Sequence, residues 1–449
     1  MKNTDLIIIG AGPGGYETAI AAAREGLQTV LVEALALGGT CLNEGCIPTK
    51  CLCRNAEVLD TVREASSFGV DSGRVDFHLA AAMERKDTVV SQLKEGISSL
   101  LKSPNILLVE GAACFVDSHT ISVGEETYTA PHIIIATGSE AKKLPVPGAD
   151  FEGVVTSREM LHLEQVPQRL CIIGGGVVGL EFASIFHTFG SNVTVVEYAK
   201  EVLPAFDKDI AKRLRTTLKR KGIAFHVGAA VNGIVANESG YEVTFDAGGK
   251  SGSVEADLVL MSVGRSPRLD SLNLEAAGIV YTPRGIKVDE NLQTNIQGVY
   301  AVGDVNGLCP LAHAATAQGR YVLSHIMGTT DKPNLSLVPA AVFTVPEVAT
   351  VGLSEEQAAE QGLSYNVLKS FYRANGKSLA MGATEGLVKI LVDADHRILG
   401  AHILGAHAAD LIHELALAMH TGVSVRQLST MIHAHPSLSE IIHDAVASE

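Results

Sequence analysis

Two cysteines, Cys41 and Cys46, are separated by four residues in a glycine-rich stretch. Residues five positions apart on an α-helix point about 140° away from each other, since each residue turns the helix by about 100°. A bridge between the two sulfurs therefore needs a non-helical segment, which Gly45 permits. Pro48 is typical of a first helical turn, which places Cys46 at a helix N-terminus. The helix dipole and Lys50 both favour a thiolate there, so the pattern predicts a redox-active cysteine pair.

Of the other five cysteines, Cys51 and Cys53 follow the pair and Cys114, Cys171 and Cys309 are scattered along the chain, and we expect all five to be packing residues. No second ligand pair stands at the spacing of a zinc site, so we expect no bound metal. The alternative interpretation of Cys41 and Cys46 is a pair of reduced cysteines in a glycine loop.

A glycine-rich turn follows the strand-like apolar run at residues 5–9, and a helix and a second strand that ends at Glu33 come after it. Gly10, Gly12 and Gly15 form the pattern G-x-G-x-x-G, which allows a pyrophosphate to approach a helix N-terminus closely. The carboxylate at the end of the second strand can accept hydrogen bonds from ribose hydroxyls. Alone this motif is weak, because glycine-rich turns occur in many loops.

The same pattern occurs a second time, as Gly174, Gly176 and Gly179 followed by Glu197. All four positions correspond to those of the first copy with one constant offset, which chance rarely produces. The sequence therefore predicts two dinucleotide sites, one for FAD and one for a nicotinamide nucleotide.

Both modules end on an apolar strand followed by a glycine, Gly138 in the first and Gly264 in the second. The cysteine pair is inserted before the closing strand of the first module, which we assign to the flavin. A third segment of this kind, at residues 299–304, indicates that the chain returns to the flavin domain. It places Asp304 at the carboxyl end of a strand, where ligands bind in doubly wound sheets.

These patterns predict an α/β protein with two Rossmann-like dinucleotide-binding domains, for FAD and NAD, and a C-terminal α+β dimerisation domain. After about residue 335 the sequence contains no nucleotide turn, and residues 341–351 read as one strand. The expected domains are the first part of the FAD domain at 1–148, the NAD domain at 149–268, a return segment of the FAD domain at 269–335 and the dimerisation domain at 336–449.

The charge of the chain excludes some partners. Lys and Arg total 35 against 50 Asp and Glu, which gives a formal charge of −15. A phosphate backbone is repelled by that balance, so we expect no nucleic acid. No apolar run approaches the roughly 20 residues that span a bilayer, and the N-terminus does not resemble a signal peptide. We therefore expect a cytoplasmic protein without membrane contact.

Residues 38–50, which read GGTCLNEGCIPTK, resemble the redox-disulfide signature of the pyridine nucleotide–disulfide oxidoreductases. Within that family the sequence CLNxGCIP at residues 41–48 is most similar to that of the dihydrolipoamide dehydrogenases. The resemblance covers nearly the whole chain and includes residues 136–138, 303–304, 311–313, 343–349 and 433–440. Two departures are Glu44, where the family usually has an apolar residue, and Cys309-Pro310 before residues 311–313.

The resemblance implies a role for several residues. Cys41 would be the thiol that exchanges with the substrate, and Cys46 the thiolate beside the flavin. His435 would be the general base with Glu440 as its partner, and in this family it reaches the disulfide of the other subunit of a homodimer. Lys50 and Glu181 resemble an ion pair beside the flavin and nicotinamide rings. The FAD contacts would be Gly10, Gly12, Gly15, Glu33, Thr40, Gly111, Ala112, Thr137, Gly138, Asp304 and Ala312. The NAD contacts would be Gly174, Gly176, Val178, Gly179, Glu197 and Gly264.

The activity that the resemblance implies is oxidation of a protein-bound dihydrolipoyl group with NAD, as part of a 2-oxo acid dehydrogenase or glycine cleavage complex. The partners would be lipoyl domains of acyltransferases or of H-protein carriers. Glutathione reductases carry basic residues at the position of Glu197, mercuric reductases have a C-terminal cysteine pair, and soluble transhydrogenases lack the pair at Cys41 and Cys46. The alternatives are another disulfide reductase of the family and a non-catalytic flavin-binding partner with a redox-sensing cysteine pair.

Overall fold

The computed structural model describes residues 1–329 and 333–448. By its internal contacts the chain divides into two units. The first unit contains Met1–Cys51, Ala81–Lys142 and Gly264–Leu335, and the second contains Leu52–Ala80, Lys143–Val263 and the residues from Ser336 onward. The domain boundaries given above stay a prediction.

The first unit is built on a five-stranded parallel sheet. In spatial order its strands are Val299–Ala301, His132–Ile135, Leu6–Ile9, Thr29–Glu33 and Ile106–Glu110. The central strand Leu6–Ile9 is apolar throughout because both of its faces are covered. Ile7 and Ile9 pack into one core, and Leu6 and Ile8 pack into the other.

Helices and smaller sheets complete this unit. The helices are Pro13–Arg24, Gly39–Asn43, Cys46–Arg63, Leu79–Leu100 and Ala312–Ile326, of which the third and fourth cross the boundary between the units, with a 3₁₀ turn at Gly303–Asn306. A four-stranded sheet contains Lys2–Asn3, Glu126–Thr129, Thr120–Val123 and Ala113–Asp117. Two-stranded pairs join Ser139–Ala141 to Arg265–Pro267 and Tyr281–Thr282 to Gly285–Ile286.

The second unit contains a parallel sheet of the same kind. Its strands, in spatial order, are Val154–Val155, Leu258–Met261, Arg169–Ile173, Asn192–Glu197 and Ala224–Val227. The helices are Ser157–Met160, Val177–Phe189 and Lys208–Lys221. A three-stranded antiparallel sheet follows, formed by Ala229–Asn237, Gly240–Ala247 and Lys250–Ala256.

The C-terminal part of this unit is an antiparallel sheet with helices. Its strands, in spatial order, are Ala340–Val342, Glu347–Gly352, Ile398–Gly405, Leu387–Val392 and Asn366–Phe371. The helices are Glu355–Glu360, Gly376–Met381, Ala408–Thr421, Val425–Leu428 and Glu440–Val446. The prediction of two Rossmann-like domains and a C-terminal α+β domain is confirmed. None of the helices that the structure describes has the length and apolar character needed to cross a membrane.

One detail of the predicted C-terminal strands was wrong. Residues 341–351 form two antiparallel strands instead of one, and the chain turns between Val342 and Glu347. Pro346 lies in that turn, and a proline has no N–H to donate to a sheet.

A buried ion pair joins the C-terminal sheet, through Lys389 on the strand Leu387–Val392, to Asp207 at the start of the helix Lys208–Lys221 within the second unit. Lys389 is fully buried, and its Nζ donates to Oδ1 and Oδ2 of Asp207 at 2.8 and 2.7 Å and also contacts Glu355. Burial alone would lower the pKa of Lys389, but the hydrogen bonds to these two carboxylates outweigh it and raise the pKa above its ordinary value. Lys389 is therefore charged at neutral pH and compensates two carboxylates.

Lys389→Met should lower the free energy of unfolding by about 3–5 kcal/mol, because the buried Asp207 carboxylate would lose its cation. Lys369→Met is the matched control, since Lys369 is one-third exposed where it pairs with Asp209 and should cost at most about 1 kcal/mol. Urea unfolding followed by circular dichroism measures both changes. Equal losses for the two variants would show that the buried pair does not stabilise this unit.

Candidate active site

The two cysteines lie on two helices with a break between them. Cys41 is in the short helix Gly39–Asn43, and Cys46 is the first residue of the helix Cys46–Arg63. The predicted non-helical segment and the position of Cys46 at a helix start are confirmed, whereas the short helix around Cys41 was not predicted. Gly45 is needed for close approach and not for left-handed backbone, because a Cβ there would lie 3.0 Å from the Thr40 carbonyl oxygen.

Cys41 and Cys46 are not bridged to each other in the structure. A hydrogen bond to Cys46 is the largest cause that raises the pKa of the Cys41 thiol, followed by burial, while the charge of Lys50 acts in the opposite direction. Because Cys46 begins a helix, the dipole favours its thiolate. A proton on Cys41 can therefore be donated to the Cys46 sulfur when both cysteines are reduced.

At the first glycine turn, separate stretches of the backbone of the first unit lie in very close contact. Gly10 has φ +104°, and a Cβ there would lie 2.4 Å from the Ala136 carbonyl oxygen. A Cβ on Gly15 would lie 1.8 Å from the Gly10 carbonyl oxygen. The helix Pro13–Arg24 begins at Gly12 without a side-chain cap, so its first amides can bind a phosphate.

The second turn, in the second unit, repeats this geometry. Gly174 has φ +106°, and a Cβ on Gly179 would lie 2.1 Å from the Gly174 carbonyl oxygen. The helix Val177–Phe189 begins at Gly176, again without a side-chain cap. Val178 is on the first turn of this helix and is 37% exposed. Both turns therefore have the open N-terminus that fits the diphosphate of a dinucleotide.

The carboxylate at the end of each second strand has a structural role that the sequence did not reveal. Glu33 accepts hydrogen bonds from the Ala11 amide at 2.6 Å and the Leu35 amide at 2.8 Å. Glu197 likewise accepts from the Gly175 amide at 2.5 Å and the Ala199 amide at 2.6 Å. Each carboxylate thus ties its glycine turn to the loop that follows the strand.

Arg265 lies close to two residues of the first unit that were predicted to contact the flavin, Thr40 and Asp304. Its guanidinium donates to the hydroxyl and carbonyl oxygens of Ser139 at 2.7 and 2.6 Å, and Nη2 lies 3.5 Å from Thr40 Oγ1. The Ser139 hydroxyl donates to Asp304, which lies in the turn Gly303–Asn306. Neither Arg265 nor Ser139 was predicted, although they directly follow Gly264 and Gly138.

The remaining predicted flavin contacts also lie in the first unit. The Gly111 amide donates to the Glu33 carbonyl at 2.8 Å, next to Ala112. Ala312 begins the helix Ala312–Ile326, which has no side-chain cap. The Thr137 hydroxyl donates to the Arg268 carbonyl at 2.9 Å. Gly264, assigned to NAD, lies in this unit as well.

The predicted ion pair of Lys50 and Glu181 stays a prediction. Lys50 is in the first unit, on the helix that begins at Cys46. Glu181 is in the second unit, only 3% exposed, and its Oε1 accepts from the Phe343 amide at 3.0 Å.

His435 and Glu440 form a hydrogen-bonded pair. His435 Nδ1 lies 2.9 Å from Glu440 Oε1, and Glu440 Oε2 accepts from the Ser437 amide at 2.8 Å. The bond from this amide, followed by the bond from His435, lowers the pKa of Glu440. Because an ionised carboxylate only accepts, Nδ1 carries the proton and Nε2 is the basic atom. The His435 side chain is 79% exposed, so this atom can meet a substrate.

His433, two residues earlier, has a different environment. Its side chain is 4% exposed, and its Nε2 lies 2.9 Å from Oε1 of Glu414 on the helix Ala408–Thr421. The sequence indicated neither this burial nor the role of Glu414, which is 19 residues away. Among the residues that the structure describes, no cluster of His, Cys, Asp or Glu has the arrangement of a metal site.

Comparison with known proteins agrees with this geometry. A family model described as pyridine nucleotide-disulphide oxidoreductase matches residues 4–319, and the model of that family's dimerisation domain matches residues 338–446. Dihydrolipoyl dehydrogenase of Chlamydia muridarum is 40% identical over 446 residues, which cover 97% of this chain and 95% of that protein. The mitochondrial dihydrolipoyl dehydrogenase of Pisum sativum is 41% identical over 452 residues, 98% and 90% of the two chains.

A solved structure is similar over the whole length. The Cu(II) complex of the HOCl-induced flavoprotein disulfide reductase RclA from Escherichia coli superposes with a TM-score of 0.89 at 32% identity and covers 100% of both chains.

Substitutions in the two glycine turns should affect the two cofactors independently. Gly15→Ala should prevent FAD binding, because the new Cβ would collide with the Gly10 carbonyl. Gly179→Ala should leave FAD bound but prevent reduction of the flavin by NADH, because it closes the other turn. Gly96→Ala is the control, since no atom lies within 4 Å of its Cβ position. Flavin absorbance and stopped-flow reduction by NADH measure both effects, and the reverse pattern would exchange the two assignments.

Proposed function

Since the chain belongs to the pyridine nucleotide-disulphide oxidoreductase family, we propose that it is a dihydrolipoyl dehydrogenase. Family membership makes it an oxidoreductase that uses FAD and NAD, and its dimerisation domain supports a homodimer. The observation that carries the finer proposal is the pair Cys41 and Cys46 at a helix start, in a chain about 40% identical over nearly its whole length to dihydrolipoyl dehydrogenases.

The reaction begins with a disulfide between Cys41 and Cys46 and a substrate dithiol. One substrate thiol gives its proton to His435 Nε2, and the resulting thiolate attacks the Cys41 sulfur. The disulfide breaks, and Cys46 leaves as a thiolate. The second substrate thiol then attacks the substrate sulfur bound to Cys41 and gives its proton to the departing Cys41 sulfur, while His435 keeps the first proton, so that the substrate becomes a cyclic disulfide. Cys41 leaves and takes one proton, and the cysteine pair has gained two electrons.

FAD, when bound, carries these two electrons from the cysteine pair to NAD. The residues that fit the two dinucleotides are those of the uncapped helix starts after Gly12 and Gly176. On the first side Thr40 and Asp304 supply further polar contacts around Arg265.

Glu440 supports the base through its charge. Its lowered pKa keeps it ionised while His435 holds a proton, so the carboxylate stabilises the imidazolium and keeps Nδ1 protonated. By analogy with the family, His435 serves the cysteine pair of the other subunit, which makes the homodimer the active unit.

The substrate would arrive on another protein. The proposed partners are lipoyl domains of acyltransferases or of H-protein carriers, in a 2-oxo acid dehydrogenase or glycine cleavage complex. The second candidate function is reduction of a different disulfide, and the full-length similarity to the Escherichia coli disulfide reductase favours it. Rates with lipoamide and with other disulfides, each with NADH as donor, distinguish the two activities.

His435→Gln should lower oxidation of dihydrolipoamide by about 10²–10⁴, the usual contribution of a general base. Reduction of an artificial dye by NADH needs only the flavin and the nicotinamide and should continue. His420→Gln is the matched control, because His420 is an exposed histidine in the last turn of its helix and should change neither rate. Full dithiol turnover by His435→Gln would refute the assignment of the base.

Mixed dimers test the shared site. Subunits inactivated at Cys41 and subunits inactivated at His435 should recover part of the activity when they form heterodimers, because one site then has both intact groups. No recovery in heterodimers verified by mass spectrometry would contradict a site that is shared between subunits.

NADH should be used in preference to NADPH by one or two orders of magnitude in kcat/KM. A 2′-phosphate about 4 Å from the Glu197 carboxylate would meet about 4 kcal/mol of repulsion per charge pair at an effective dielectric of ~20, and solvent reduces that value. Comparable kcat/KM values for NADH and NADPH would remove the assignment of Glu197 to the ribose site.

A further inference from the structure

Arg265 lies next to the segment that carries the cysteines. Its side chain is 28% exposed, its Nε lies 3.9 Å from Asp304 Oδ2, and its Nη2 lies 3.5 Å from Thr40 Oγ1. Thr40 directly precedes Cys41 in the short helix. The largely buried guanidinium of Arg265 therefore lies beside the residue that precedes Cys41.

Glu44 lies at the C-terminal end of the same short helix, Gly39–Asn43. Its amide donates to the Thr40 carbonyl at 2.9 Å, and the next residue, Gly45, packs against that carbonyl. Burial lowers the pKa of Arg265, and attraction to Asp304, Glu44 and Cys46 opposes that decrease. The guanidinium contacts Thr40 on the short helix Gly39–Asn43, and Glu44 and Cys46 follow that helix within three residues, so both of their charges act on Arg265.

The charges around the cysteine pair have opposite effects on its reduction. The reduced pair gains two electrons and one proton, so that Cys41 is a thiol and Cys46 a thiolate. Lys50 and Arg265 stabilise that negative charge, whereas Glu44 attracts the same Arg265.

We propose that Glu44 tunes the redox pair of this chain, making the Cys41–Cys46 disulfide harder to reduce by competing with the Cys46 thiolate for Arg265. The proposal rests on the proposed redox function of the pair. Glu44 acts through the electrostatic environment and takes no part in the exchange of bonds.

Glu44→Gln and Glu44→Val should each raise the equilibrium constant for reduction of the pair by a dithiol buffer about tenfold, which is a shift of about 30 mV for a two-electron couple. The measurement uses the FAD-loaded dimer equilibrated at one pH with mixtures of reduced and oxidised dithiothreitol, then alkylated and analysed by mass spectrometry. Glu57→Gln is the matched control, because Glu57 lies on the same helix three turns from Cys46 and pairs with Arg54.

A second variant tests the route through Arg265. In an Arg265→Gln background, Glu44→Gln should change the equilibrium constant by less than threefold, because the shared cation is gone. An unchanged constant in both single variants, or a decrease, would overturn the proposal. A wild-type pair that does not cycle between disulfide and dithiol would instead refute the proposed function, so the two failures are distinguishable.

Discussion

Both nucleotide modules depend on the contact of a glycine with the backbone of its own turn. In the first module Gly15 lies directly against the Gly10 carbonyl, and in the second Gly179 lies against the Gly174 carbonyl. Any side chain at these positions would push the helix away from the strand, and the helix amides would then no longer converge on a phosphate. The carboxylates of Glu33 and Glu197 hold the same turns by accepting hydrogen bonds from the amides of Ala11 and Gly175. Both proposed dinucleotide sites depend on this contact.

The chemistry of the cysteine pair depends on a second local constraint, the break between two helices at residues 44 and 45. The break lets two sulfurs five positions apart approach each other and still leaves Cys46 at a helix start. The two thiols are unequal, because the hydrogen bond to Cys46 raises the pKa of Cys41 and the helix start favours a thiolate at Cys46. Glu44 occupies the break itself, so the same short segment sets both the geometry and the electrostatics of the pair.

The features that the sequence predicted are those whose signals are local. The glycine turns, the helix start at Cys46 and the fold class follow from patterns within about 30 residues. The contacts that escaped prediction are mostly distant in sequence, such as Arg265 with Ser139, 126 positions apart, and His433 with Glu414. The prediction of a single strand at residues 341–351 was wrong, because the apolar composition of this segment gave no indication of the turn at Pro346. The sequence pattern assigned the Glu33 and Glu197 carboxylates only to ribose. The backbone amides that they bind can be identified only in the folded structure.

We propose different roles for Cys41 and Cys46, the first exchanging with substrate and the second lying beside the flavin as a thiolate. The direct test is the long-wavelength absorbance of the FAD-loaded variants Cys41→Ser and Cys46→Ser, since only a thiolate beside the flavin gives a charge-transfer band. Cys41→Ser should show the band without dithiol turnover, and Cys46→Ser should lack both. A band in Cys46→Ser and none in Cys41→Ser would contradict the account.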